Sequence, residues 1–170
     1  MSGVYARHNG EWYVVSGESG GSNPGPLGAQ YADFSNTPTG TFTDDAGDWK
    51  YVTFTSDGTL NCTSPGIVEV LLVGGGAGGG KAGQGGGGAG GVLHGRLYVP
   101  AENMNITVGA GGSGGTTPTN GEDTSIGFAN SNGITAVGGG FGKSGGSQMG
   151  GSGGGGQAGS SYAGRGILYQ

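Results

Sequence analysis

Residues 74 to 91 read GGGAGGGKAGQGGGGAGG, with 13 glycines in 18 positions, and residues 138 to 159 hold another 13 in 22. Each glycine costs about 1 kcal/mol relative to alanine inside a helix, so a helix through the first tract would be weaker by roughly 13 kcal/mol on propensity alone. An α-helix is excluded there. Glycine also lacks a Cβ, which lets backbones approach more closely than any other residue allows. A chain of 170 residues with 48 glycines and only 32% hydrophobic residues therefore has two outcomes. It is solvated coil, or it is held by backbone contact instead of a large side-chain core.

The first tract imitates a nucleotide site. After the apolar run IVEVLLV, Gly75, Gly80 and Lys81 have the Gly-x4-Gly-Lys spacing of a phosphate loop, and Gly74, Gly76 and Gly79 fit a dinucleotide fingerprint. Both motifs need a helix next, so that its first amides point at phosphate, and the phosphate loop also needs a Ser or Thr for magnesium. Lys81 is followed by AGQGGGGAGG. The nucleotide reading fails on both counts.

Between the tracts lie short β-prone runs: Trp49 to Thr55, Thr59 to Thr63, Ile67 to Val73, Val92 to Val99, Met104 to Val108, Thr124 to Phe128, Ile134 to Val137 and Ile167 to Tyr169. Several alternate as half-buried strands do, with Met104, Ile106 and Val108 opposite Asn105 and Thr107, and Val52 and Phe54 opposite Tyr51, Thr53 and Thr55. At the N-terminus, Asn9-Gly10 between VYARH and EWYVV predicts a hairpin. The stretch from Ser16 to Asp48 carries Pro24, Pro26 and Pro38 and reads as an irregular arm. The division expected is residues 1–45, hairpin and arm, and 46–170, a glycine-rich domain.

Consecutive glycines can adopt the extended polyproline-II form, about three residues per turn with no internal hydrogen bonds, and side by side such rods can bond laterally. The fold class expected is mainly β with glycine-rich polyproline-II (polyglycine-II) helices and no α-helix of note. GGGAGGG and IVEVLLV are equal in length and could lie alongside each other. KAGQ becomes a turn between two antiparallel rods, and TTPTNGED, ANSNG and KSGGSQM suit the same role.

Charge and composition narrow the chemistry. Six basic against 11 acidic residues give a net charge of −5, with no basic cluster interleaved with aromatics, so no nucleic-acid partner is expected. The longest apolar run is far short of a membrane span, and MSGVYARHNGEWYVV lacks the layout of a secretion signal. Cys62, the only cysteine, reads as a small buried side chain, and His94 with Arg96 as exposed residues on the polar side of VLHGRLYV. Asp44, Asp45 and Asp48 form an Asx-rich turn without calcium-loop spacing, and Asn120-Gly121-Glu122-Asp123 lacks a calcium-repeat pattern. No catalytic, metal or cofactor site is expected, and the chain reads as non-enzymatic.

The succession VEVLLVGGGAGGG, GGGGAGGVLHGRLYV, NITVGAGGSGG, NGEDTSIGF, ITAVGGGFG and GGSGGGGQAG resembles the glycine-rich domain of tailed-bacteriophage virion proteins, especially tail fibres and adhesins, over residues 49 to 159. In principle it is also similar to the polyglycine-II bundles of phage fibre-tip adhesins. The resemblance implies a structural protein at the virion surface, a tail appendage presenting loops to a host receptor. The alternative it implies is a decoration or cement protein on the capsid exterior. Lys81, Gln84, Thr117, Asn120, Asn130, Lys143 and Gln148 are the loop candidates for receptor contact. Trp12 and Tyr13 are candidates for docking on other virion proteins, and a homo-oligomer, by analogy a trimer, is expected.

Overall fold

The computed structural model describes residues 6–8, 11–13, 31–44, 47–128, 131–157 and 163–167. Among them there is no helix. Eleven strands occur: β1 (Ala6–His8), β2 (Glu11–Tyr13), β3 (Asp33–Phe34), β4 (Gly40–Asp44), β5 (Gly47–Tyr51), β6 (Gly58–Ser64), β7 (Gly66–Val73), β8 (Val92–Val99), β9 (Asn103–Thr107), β10 (Thr124–Phe128) and β11 (Ser131–Ala136). They form one five-stranded sheet in the order β11-β10-β9-β6-β3 and three two-stranded sheets, β1-β2, β4-β5 and β7-β8. β1 and β2 pair antiparallel with Arg7 opposite Trp12; the Asn9-Gly10 turn, like Asn130, lies outside the described residues. The mainly β class without α-helix is what the sequence leads one to expect.

The chain separates into two compact units. The first comprises Met1–Leu71, His94–Ile106 and Gly127–Gly133, and its core is built by period-two alternation. Antiparallel register sets Leu60 opposite Met104 and Phe34 opposite Cys62. These four side chains are buried, together with Ile106, Val68, Val70 and Val99. Fully burying side chains of this kind stabilises by about 1.5–3 kcal/mol each.

Residues 31–44, expected to be irregular, contribute β3 and β4 to this unit. Tyr31 packs edge-on against Trp49 with ring centroids 4.8 Å apart, and Lys50 pairs with Asp33 while donating to the Phe34 carbonyl. The strand expected over 49–55 stops at Tyr51, where its pairing with β4 ends at Gly40. Beyond it the Thr53 amide bonds to the Thr39 hydroxyl, 2.8 Å away, instead of to a strand carbonyl.

One polar group enters the first unit's sheets. Glu69 lies in the apolar run of β7 and is only 5% exposed; its carboxylate meets His94 Nε2 at 2.7 Å and Arg96 Nε at 3.2 Å. His94 is an exposed residue of β8, as its alternation suggested, and its ring, 30% exposed, is in addition bonded to a buried carboxylate. A buried carboxylate requires such partners, because an unpaired one carries the full desolvation penalty.

The second unit, Leu72–Leu93, Thr107–Ile126 and Ile134–Gln170, has a different basis. Its buried apolar side chains among the described residues are few, Leu72, Ile126, Ala136 and Pro118. The rest is backbone lattice. Segment 74–80 sits among four others: its amides at Gly74, Ala77 and Gly80 donate to Gly91, Gly88 and Gly85, and those at Gly75 and Gly78 donate to Glu122 and Thr119. Its carbonyls at Gly76 and Gly79 accept from Gly112 and Gly115, and those at Gly75 and Gly78 accept from Gly139 and Gly142.

In all four series the partners step by three residues. A β-strand turns alternate residues toward a given neighbour; lateral bonding at every third residue is the arrangement open to a chain with three residues per turn. The stepping also gives direction, antiparallel for 85–91 and 119–122, parallel for 109–115 and 138–142. GGGAGGG thus lies against other glycine segments, and the side-by-side arrangement with IVEVLLV is not adopted. Glycine is required at these contacts: a Cβ at Gly78 or Gly121 would lie far inside 3.0 Å of a neighbouring carbonyl, Ser113 and Gly75 respectively.

Segment 119–124, TNGEDT, shows the same threefold character in its side chains. Thr119 Oγ1 and Glu122 Oε2 accept from the amides of Ser113 and Ala110, whereas Asn120 Oδ1 and Asp123 Oδ1 accept from Phe141 and Gly138. On the third face Gly121 backs onto Gly75, and the buried Thr124 hydroxyl donates to the Val73 carbonyl while accepting from the Gly109 amide. TTPTNGED is therefore a turn only in its first part; from Thr119 onward it is a rod whose side chains clip two neighbours.

Candidate functional site

The directions of the rods decide where their connections fall. Segments 74–80, 109–115 and 138–142 run parallel, so the turns after each emerge at one end of the second unit, away from the ends at which β7, β9 and β11 feed the rods. Backbone contacts tie the turns together. Lys81 N donates to the Gly115 carbonyl at 3.1 Å, joining 81–84 to 116–118, and parallel bridges pair Gly80 with Gly115 and Gly79 with Gly142. Segment 152–156 ends there too, since Gly155 N bonds to Gly86 O and the Ser147 hydroxyl donates to the Gly155 carbonyl at 2.7 Å.

Local chemistry fixes each turn. In Lys81-Ala82-Gly83-Gln84 the Gln84 amide donates to the Lys81 carbonyl at 2.9 Å, and Gly83 takes φ +80°. This is a type II turn, whose third position needs positive φ and hence glycine. Gly145 at φ +74° does the same between Ser144 and Gly146. The turn is supported by the Ser147 hydroxyl on the Lys143 carbonyl and by a bond from Ser144 to Gln157.

Of the sequence-derived receptor candidates, the structure brings Lys81, Gln84, Thr117, Lys143 and Gln148 to this end. Lys81, Thr117 and Gln148 are exposed, Lys143 and Gln84 half-buried. Gln84 lies back over Gly80, with its Oε1 buried and without a hydrogen-bond partner. Asn120, also exposed, lies at the level of Gln148: its side-chain oxygen accepts from Phe141 N at 3.0 Å, and Gln148 N donates to the Phe141 carbonyl. Asn130 is outside the described residues. Trp12 and Tyr13 stand on β2, paired with Arg7 and Ala6.

Charge divides along the second unit. Its sequence holds two acidic residues, Glu122 and Asp123. Both are at the strand-bearing end, accepting from the backbone amides of Ala110 and Gly138. Lys81 and Lys143 are at the turn-bearing end, where residues 81–84, 116–118, 143–148 and 157 contain no Asp or Glu.

Residues that sequence reading assigned elsewhere also matter. Thr119, Glu122, Asp123 and Thr124 look like loop polarity but are lattice clips, and the signal that could have found them is their i, i+3 spacing. Glu69 was hidden in an apolar run, with partners 25 and 27 residues away. Cys62 is buried, its thiol 3.1 Å from the Ser64 carbonyl, and burial pushes its pKa above the ordinary value against the opposing pull of two backbone hydrogen bonds. Among the described residues no three His, Cys, Asp or Glu side chains converge as metal ligands, and no helix is long and apolar enough to cross a membrane.

Compared with known families, residues 52–168 match the glycine-rich domain. No curated protein and no solved structure gives a match.

Proposed function

We propose, for a chain that belongs to the glycine-rich domain family, a non-enzymatic structural role on the surface of a tailed-phage virion, as a tail-appendage module holding loops out toward a host receptor. The observation that carries this reading is the gathering of three rod turns at one end of the second unit. Short polar turns on a lattice of backbone hydrogen bonds vary in sequence without disturbing what holds them, because the lattice bonds leave from the rods. The phage context comes from the order of glycine-rich motifs over residues 49–159. In this reading the β1–β2 segment with Trp12 and Tyr13 docks on another virion protein, and the module works as a homo-oligomer.

The test replaces Ala82, Gln84, Thr116 and Thr117 with glycine or serine, keeping Gly83 for its positive φ and leaving residues 119–124 intact because they clip the lattice. Virions carrying the variant are expected to assemble, keep the protein folded and lose adsorption to host cells. Unchanged adsorption overturns the receptor-binding role. A copy number of hundreds per virion, with the protein on the head, would move it to the capsid exterior as a decoration protein.

A further inference from the structure

Lys81 and Lys143 stand at the turn-bearing end of the second unit, joined through the Lys81–Gly115 and Gly79–Gly142 backbone contacts. From Gly79, Lys81 is two residues on; from Gly142, Lys143 is one. At about 3.1–3.3 Å per residue in extended chain, the two Cα atoms are within roughly 10–15 Å of each other. The carboxylates of this unit are held at the other end by backbone amides. In a chain of net charge −5, this end is a local exception. The same turns carry the hydroxyls and amide of Thr116, Thr117, Ser144 and Gln148, all exposed.

We infer that the turn-bearing end binds an anionic polysaccharide, with Lys81 and Lys143 contacting its acidic groups and the Thr, Ser and Gln side chains its hydroxyls. This deepens the receptor-contact reading and rests on it. Lysine is a compact charge with three rotatable donors and suits carboxylate or phosphate groups spaced along a flexible polymer. A nucleic acid is the less fitting polyanion, since the aromatic side chain near the described turns is Phe141, which is half-buried rather than presented as an open stacking platform. The polysaccharide reading needs only the two lysines and their polar surround.

The test measures binding of the full chain to immobilised alginate, a polyuronate, with neutral dextran and single-stranded DNA as competitors. K81Q and K143Q are each expected to weaken alginate binding about tenfold, the loss of one charge-assisted contact, and the double variant further. R165Q, which removes an equal charge from an exposed position outside the turns, should change it less than twofold. Competition by DNA at equal potency, an unchanged K81Q/K143Q variant, or no retention on alginate overturns the inference. The glycine-serine turn replacement separates this from the parent reading: lost adsorption with no alginate binding leaves the receptor role standing and removes only the polysaccharide.

Discussion

Gly76 and Gly78 lie two residues apart in the same rod, and neither has the positive φ that would itself disfavour a side chain. An alanine at Gly76 meets nothing within 4 Å, whereas at Gly78 its Cβ would fall far inside 3.0 Å of the Ser113 carbonyl. Relief at Gly78 requires the 74–80 and 109–115 segments to part. That strains the bonds that join them, from Gly112 N to Gly76 O (2.8 Å) and from Gly115 N to Gly79 O (2.9 Å). Overpacking costs about 1–3 kcal/mol, and each buried hydrogen bond left unmade about 1–3 kcal/mol more. Against this, Gly→Ala restricts the unfolded chain and contributes about 0.4–1 kcal/mol at either site. Gly78→Ala is therefore expected to lose about 2–4 kcal/mol and Gly76→Ala to gain up to about 1 kcal/mol. Urea unfolding at constant m-value measures both. If the two variants differ by less than about 1 kcal/mol, close backbone approach is not what holds the second unit.

Other perturbations probe the same physics. In hydrogen–deuterium exchange the amides of Gly74, Ala77, Gly88 and Gly91, each bonded within the lattice, should be protected well beyond coil values; exchange at the coil rate would remove the lattice. Asp123→Ala should cost about 1 kcal/mol, a charge-assisted bond discounted for solvent screening, while Asp123→Asn, which keeps an acceptor for Gly138 N, should lose less. Equal losses would mean the clip acts only through charge. Cys62 should resist thiol reagents until the protein is unfolded. Because burial raises its pKa above 9.0, the folded chain holds the thiol proton more tightly than the unfolded one. Its contribution to stability is full below about pH 9 and is lost as pH climbs through the raised value; Cys62→Ala should flatten that decline in alkaline denaturation.

Strands were legible where side chains alternate. Met104 and Ile106 are buried on one face of β9 as their spacing requires. The KAGQ turn was legible because it interrupts two glycine runs of matching length and carries a glycine where positive φ is needed. The arm over 31–44 was less readable, since Asp33 and Tyr31 are ordered by Lys50 and Trp49, partners distant in sequence. TNGEDT misled for the opposite reason: its residues are turn formers, and only neighbouring rods on two sides convert their side chains into acceptors for lattice amides.

The sequence alone determined that no helix could pass through the glycine tracts, because each glycine loses too much conformational entropy on ordering, and that the second unit could not rest on a large apolar core, because glycine has no side chain to bury. It also determined that a rod beginning at Gly74 must turn at Lys81. Which rods run parallel, and therefore which turns share an end, was decided by tertiary structure. A glycine backbone bonds equally well to a parallel or an antiparallel neighbour, so the choice falls to the strands that feed each rod and to the clips at Asn120, Glu122 and Asp123. The same decision brought Lys81 and Lys143 to one end of the unit.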